Sequence, residues 1–126
     1  MLTERRRIEC LRDIVKYCDQ IEAFVDGFTR EAFDPDLRTQ NAVLYSLQTV
    51  GEAAIRLDKE EKRRGEPGLT ESRYPHVPWR DVRGLSNVVR HGYDDIDLDI
   101  IWATATEAIR PVRDAANQEI TRSASD

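Results

Sequence analysis

Apolar residues recur at helical spacing along most of the chain. In the first stretch they are three or four positions apart, at Ile8, Leu11, Ile14, Val15, Cys18, Ile21, Val25 and Phe28. This spacing predicts a long amphipathic helix that ends near Gly27. A second helix is predicted to end near Arg64, with its apolar stripe at Val43, Leu44, Leu47, Val50, Ala54 and Leu57. Apolar and polar residues alternate over no more than a few positions, so the pattern does not predict a β-sheet.

A third predicted helix follows a charged and then Gly/Pro-rich segment, residues 59–68, which ends the second helix and opens a loop. Pro78 suits the first turn of this third helix, which is expected to continue to Gly92. Gly51 lies inside the second helix, where glycine costs about 1 kcal/mol relative to alanine. Close packing of another helix against Gly51 would explain its presence.

The last predicted helix is preceded by aspartates that are expected to cap it: Asp94, Asp95 and Asp97. Pro111 lies inside its apolar pattern and predicts a kink or a break, because proline lacks the backbone N–H. The chain is therefore predicted to form one all-α domain over residues 1–120, an antiparallel bundle of four to five helices. A frayed tail is expected at residues 121–126.

Composition restricts the class of protein and the kind of ligand. Of the 126 residues, 40% are hydrophobic and 34% are charged, and the formal net charge is −5. Nucleic acid would therefore have to bind a local basic patch. Basic residues of the first helix are expected on its solvated side, with phosphate binding as the alternative: Arg5, Arg6, Arg7, Arg12 and Lys16.

The cysteines and the hydrophobicity of the chain favour a soluble, cytoplasmic protein. Cys10 and Cys18 cannot pair within one helix, and no apolar run could cross a bilayer.

Residues Trp79 to Asp94 concentrate the side chains that could carry chemistry. On a continuous helix, Arg83, Asn87 and His91 would share one face, because residues four apart differ by about 40°. A histidine can take a proton from a ribose 2′-hydroxyl or give one to a leaving 5′-oxygen, and a guanidinium can bind the phosphate. The structural alternatives are that His91 closes a helix end, Asn87 is merely solvated and Trp79 is a packing anchor.

Other kinds of active site find little support. The G-x-x-x-x-G-K-[ST] and G-x-G-x-x-G loops are absent from the sequence. Two histidines without clustered cysteines argue against a zinc site. The aspartates at 94, 95 and 97 could bind magnesium but are interpreted as helix caps. Neither a metal ion nor a cofactor is expected.

Two motifs resemble those of the HepT-like HEPN family. The family signature is matched from Pro75 to Asp97 by P-x-x-P-W-R-D-V-R-G-L-S-N-V-V-R-H-G-Y-D-D-I-D. The family's second-helix motif is matched from Arg38 to Ala54 by R-T-Q-N-A-V-L-Y-S-L-Q-T-V-G-E-A-A. The resemblance extends over about residues 5–115, with the helices and the loop in the same order.

The resemblance implies a homodimeric bundle in which both copies of an R-x4-H motif face a shared cleft. It also implies the toxin of a two-gene toxin–antitoxin module, a metal-independent ribonuclease that acts on cellular RNA, with tRNA as one class of target. The implied partner is a small nucleotidyltransferase antitoxin, which in some systems attaches AMP to the tyrosine of R-x4-H-x-Y. By this match, His91 would be the catalytic histidine and Tyr93 the modifiable tyrosine, and Asn87 matches the polar residue after the family arginine.

One position departs from the family pattern, because Ser86 stands where the family has its arginine. Loss of a charge-stabilising donor typically lowers the rate by about two to three orders of magnitude. Arg83, one helical turn earlier, or Arg90, next to His91, could supply the charge instead. Three alternatives stay open: a nuclease that uses one of these arginines, a weakened or inactive partner of the nucleotidyltransferase, and a helical dimerisation module without cleft chemistry.

Overall fold

Seven α-helices make up most of the chain that the structure, a computed structural model, describes: residues 2–88 and 97–125. The long helices are α1 (Leu2–Val25), α3 (Leu37–Arg63) and α7 (Ile109–Ser125). The short helices are α2 (Arg30–Phe33), α4 (Leu69–Arg73), α5 (Trp79–Gly84) and α6 (Leu98–Ala103). Helix α1 packs against both α3 and α7. These residues contain no β-strand, and the prediction of an all-α protein with several packed helices is confirmed.

The core lies between the three long helices and contains the predicted apolar stripes. It includes Leu11, Ile14 and Ile21 of α1, Val43, Leu47 and Val50 of α3, and Ile109, Val112 and Ala116 of α7. Both cysteines are buried and unpaired. Burial raises the pKa of the Cys18 thiol to about 12 and also raises the pKa of Cys10. Both therefore serve as small apolar core residues.

Arg7 is buried, although it was expected on the solvated side of α1. It lies four and seven positions before the buried Leu11 and Ile14, so the helical period places it on the core-facing stripe. Its guanidinium enters a polar group that we call the Arg7 cluster, which consists of Arg7, Glu61, Thr70, Arg73, Tyr74 and Glu119. The prediction for Arg7 was wrong, whereas Arg5, Arg6, Arg12 and Lys16 are exposed as expected.

Hydrogen bonds join four helices within the Arg7 cluster. Arg7 Nε donates to Glu61 Oε2 at 2.9 Å, and Arg7 Nη2 donates to Thr70 Oγ1 at 3.1 Å and to a carboxylate oxygen of Glu119. Arg73 also donates to the Glu119 carboxylate, and the Tyr74 hydroxyl donates to Glu119 Oε1 at 3.2 Å. Two guanidinium groups thus face two carboxylates, which is the condition under which buried charges are tolerated.

The C-terminal helix departs from the expectation at both of its ends. A π-helical turn, Thr104–Ala108, precedes α7, whereas Pro111 lies in the first turn of α7, so the helix is irregular before Pro111 but does not break at it. Helix α7 continues to Ser125, beyond the expected end of the domain at residue 120. The Arg7 guanidinium reaches Ser123 Oγ at 3.5 Å, so the last turns of α7 contact α1.

Candidate functional site

The candidate site begins on a helix that ends earlier than expected. Helix α5 ends at Gly84, and the chain continues as a 3₁₀ turn, Leu85–Asn87. A 3₁₀ turn advances by about 120° per residue, against about 100° in an α-helix. The prediction of one continuous helix is therefore wrong for this turn. Arg83 and Asn87 do not share one helix face in the way that an α-helix would place them.

Buried aromatic and aliphatic side chains hold α5 in place. Trp79, the first residue of α5, is buried, and its indole Nε1 donates to the backbone oxygen of Tyr74 at 3.0 Å. Val82, one turn later, is also buried. The interpretation of Trp79 as a packing anchor is confirmed. Since Tyr74 belongs to the Arg7 cluster, the start of α5 is tied to that cluster by one hydrogen bond.

The 3₁₀ turn lies directly on the backbone of α3 at Gly51. A Cβ atom built on Gly51 would be only 2.2 Å from the backbone nitrogen of Ser86 and 2.8 Å from the carbonyl carbon of Leu85. No residue with a side chain fits at these distances. The expectation that Gly51 allows close packing is confirmed, and the segment packed against it is the one that carries Ser86 and Asn87.

Arg83 points to an acidic neighbour that was not anticipated. Its Nη1 lies 3.6 Å from Glu71 Oε2 on α4, and about a quarter (27%) of the Arg83 side chain is exposed. Arg83 and Glu71 line a narrow crevice of about 10 Å³ beside Trp79, which is no larger than one water molecule requires. The carboxylate of Glu71 offsets part of the charge that Arg83 could offer to a phosphate.

Ser86 is half-buried and Asn87 is exposed. Within residues 2–88 and 97–125, no hydrogen bond or ion pair joins two of the predicted site residues. The other predicted site residues, Arg90, His91 and Tyr93, fall outside the described residues, as do Asp94 and Asp95. Asp97 caps α6 as expected, since its carboxylate accepts from the backbone N–H of Asp99 at 2.9 Å.

Sequence reasoning missed the contact between Arg83 and Glu71, because residues 69–73 were interpreted as loop and no pattern links positions twelve apart. Over residues 2–88 and 97–125, the structure contains no cluster of three or more His, Cys, Asp and Glu side chains arranged to hold a metal ion. No helix in that part of the chain combines the length and the hydrophobicity needed to cross a bilayer.

Comparison with known proteins places the chain among ribonucleases. The family model described as "Ribonuclease HepT-like" matches residues 14–119. "Probable ribonuclease HepT" of Thermococcus cleftensis is 29% identical over 106 residues, which cover 84% of this chain and 88% of the relative. A candidate RNase of Methanocaldococcus jannaschii is 33% identical over 92 residues, 73% of this chain and 69% of the relative. No solved structure matches the chain significantly.

The family match runs from α1 to α7 and therefore includes the segment that carries His91 and Tyr93. It agrees with the two motifs recognised in the sequence, one on α3 and one that begins just before α5. The chain is thus a ribonuclease by descent, and it belongs to the HepT-like ribonuclease family.

Proposed function

We propose that the chain is the toxin of a two-gene toxin–antitoxin module and cleaves RNA, tRNA included, without a metal ion. The observation that carries this proposal is the family match over residues 14–119, together with the H-x-Y triplet formed by His91 and Tyr93. The reactive site would be a cleft formed by two copies of the chain. His91 would be its acid–base group, and Asn87 would position the substrate.

The proposed reaction uses the RNA's own 2′-hydroxyl as the nucleophile. His91 takes the proton from this hydroxyl, the 2′-oxygen bonds to phosphorus, and the bond from phosphorus to the 5′-oxygen breaks. A protonated imidazole, which the second copy in a dimer could supply, gives its proton to the leaving 5′-oxygen. The products are a 2′,3′-cyclic phosphate and a free 5′-hydroxyl, so atoms and charge balance. Arg83 or Arg90 would stabilise the negative charge on the phosphate.

Cleavage of RNA by the purified protein in the presence of EDTA tests this mechanism. His91→Ala is expected to lower the cleavage rate at least about 100-fold, because positioned proton transfer contributes roughly that much or more. RNA with a single 2′-deoxy substitution at the cleaved position should resist the parent protein. Equal cleavage by the parent and by His91→Ala would contradict the role of His91 and indicate a contaminating nuclease.

A homodimer is part of the proposal, since two copies of the motif would have to face one cleft. Light scattering on the purified protein at micromolar concentration is expected to give twice the monomer mass of 14.5 kDa. The same measurement on His91→Ala should give the same mass, because the substitution alters the chemistry and not the contact between copies. A monomer in both samples would exclude the composite cleft.

The proposed partner is a small nucleotidyltransferase antitoxin, and Tyr93 is the proposed site of its action. In that reaction the Tyr93 hydroxyl loses its proton to solvent, its oxygen bonds to the α-phosphorus of ATP, and pyrophosphate leaves. An added AMP would place a negatively charged phosphate two residues from His91, where it would repel the phosphates of an RNA substrate.

A second candidate function is favoured by the residue at position 86. Ser86 has no charge, and Arg83 lies beside Glu71, so the chain could bind RNA and the nucleotidyltransferase while cutting slowly or not at all. In that case the parent itself would show little or no RNA cleavage for His91→Ala to remove. Restoring an arginine at position 86 separates the two candidates.

A further inference from the structure

We propose that Gly51 is a positioning residue of the ribonuclease site, although it touches neither RNA nor the reacting atoms. This inference rests on the proposed function, because it concerns how residues 86 and 87 are placed. The contact that carries it is the approach of the Ser86 backbone nitrogen to within 2.2 Å of where a Cβ on Gly51 would be.

The absence of a side chain, and not backbone freedom, is what Gly51 contributes. Gly27, Gly65 and Gly68 have positive φ angles and serve turns, whereas Gly51 lies within the regular α3 helix. Gly84, in contrast, could carry a Cβ that meets, among the described residues, no atom of another part of the chain within 4 Å. Gly51 thus differs from these other glycines because the backbone of Leu85 and Ser86 packs directly against it.

Three apolar side chains press the 3₁₀ turn against the same surface. Val82 is buried, and Leu85 and Val88 are partly buried against the core. Val82 lies on α5, Leu85 in the 3₁₀ turn and Val88 directly after it, and their spacing of three places them in one row that packs against the core. Asn87 is left exposed, and Ser86 lies beside α3. The row and the Gly51 contact together fix the position of residues 85–88, which include Ser86 and Asn87.

A methyl group at position 51 would therefore shift the turn. Ordinary contact requires the Ser86 nitrogen to move away by about 1 Å or more, since packed interiors leave few voids to absorb it. A misplacement of about 1 Å in a catalytic constellation can lower the rate about 100-fold. A shift that misplaces Asn87 should slow the chemical step more than it weakens binding, since RNA affinity generally depends on contacts with several phosphates.

Gly51→Ala, with Gly84→Ala as its matched control, tests this role. Gly51→Ala is expected to lower kcat for RNA cleavage about 100-fold and to change KM less than about threefold. Gly84→Ala should leave both unchanged. Val50→Ala, which truncates a fully buried neighbour on α3, controls for lost stability. A comparable loss of kcat in Val50→Ala at equal melting temperature would overturn the proposal, as would unchanged kcat in Gly51→Ala.

Two further measurements separate failure of this inference from failure of the proposed function. If the parent protein does not cleave RNA, amide hydrogen exchange at residues 85–88 gives the readout instead. Faster exchange in Gly51→Ala than in Val50→Ala supports the positioning role, and equal rates refute it. If Gly51→Ala does not fold, Leu85→Ala removes one of the apolar contacts that hold the same turn against the core, and it should lower kcat or, in an inactive parent, speed exchange at residues 86–88. No change in Leu85→Ala would count against the proposal.

Discussion

Replacing Arg7 by methionine is expected to lower the free energy of unfolding by about 3–5 kcal/mol, because removal of one partner leaves buried charges uncompensated. Arg7 is 1% exposed and lies between Glu61 and Glu119, which are themselves buried. Methionine keeps the aliphatic stem of the side chain and removes only the charge and the donors. Urea denaturation followed by circular dichroism would measure the change as a lower midpoint with an unchanged slope.

Arg5→Met provides the matched control on the same helix. The Arg5 side chain is 79% exposed, and its only ion pair within the described residues, with Glu9, is 3.8 Å long. Exposed pairs of this kind contribute little, so Arg5→Met should leave the midpoint nearly unchanged. Similar losses in both variants would mean that Arg7 acts through the general charge of α1 and not through its buried partners.

Lowering the pH should narrow the difference in the free energy of unfolding between the parent and Arg7→Met. Burial by itself would raise the pKa of Glu119, but the hydrogen bond and charge of Arg7, with help from Arg73, hold that pKa below its usual range. A depressed pKa stabilises the fold at pH values above the ordinary glutamate pKa of about 4.3, and this contribution is lost as pH falls through the depressed value. If the parent and Arg7→Met differ in the free energy of unfolding by the same amount at pH 7 and at pH 3, this account is contradicted.

Ser86→Arg is expected to raise the rate of RNA cleavage by about 100- to 1,000-fold, because a preorganised charge at a developing phosphate dianion is typically worth that much. The Ser86 backbone packs directly against Gly51, but the Ser86 residue is only half-buried. A longer side chain could therefore extend over the surface towards the substrate. Single-turnover cleavage of RNA in EDTA would measure the effect, and expression of this variant should be toxic to the host cell.

Ser86→Met and Arg83→Ala complete that experiment. Methionine has comparable length without charge, so a gain of activity in Ser86→Met would show that bulk and not charge is responsible. If the parent already cleaves quickly and Ser86→Arg adds nothing, another arginine supplies the charge. Loss of activity in Arg83→Ala would then identify Arg83, and retained activity would leave Arg90.

The long helices could be predicted from the sequence because their apolar positions follow the helical period over many turns. The error at Arg7 arose because its charge was weighed above its position, although its spacing to Leu11 and Ile14 already placed it on the buried stripe. The early end of α5 had no such signal, because the three-residue spacing of Val82, Leu85 and Val88 is also found on an α-helix.

Other features had no such signal. The pairing of Arg83 with Glu71 depends on how the segment after α3 folds back onto α5, which no local pattern encodes. Helix α4 itself, only five residues long, was interpreted as loop. The charge that offsets a candidate phosphate-binding arginine was therefore visible only in three dimensions, whereas the family motif around His91 could be recognised from sequence alone.

The bond between Arg7 and Glu119 spans 112 positions, and this separation has a consequence during synthesis. A ribosome releases α1 long before α7, so the guanidinium of Arg7 has no partner on α7 until the chain has been translated beyond Glu119. Contacts between distant positions also form late in folding, since the intervening chain must be closed into a loop first. The nascent chain thus completes its core only after the segment with His91 has left the ribosome, and ribonuclease activity should not precede the synthesis of α7.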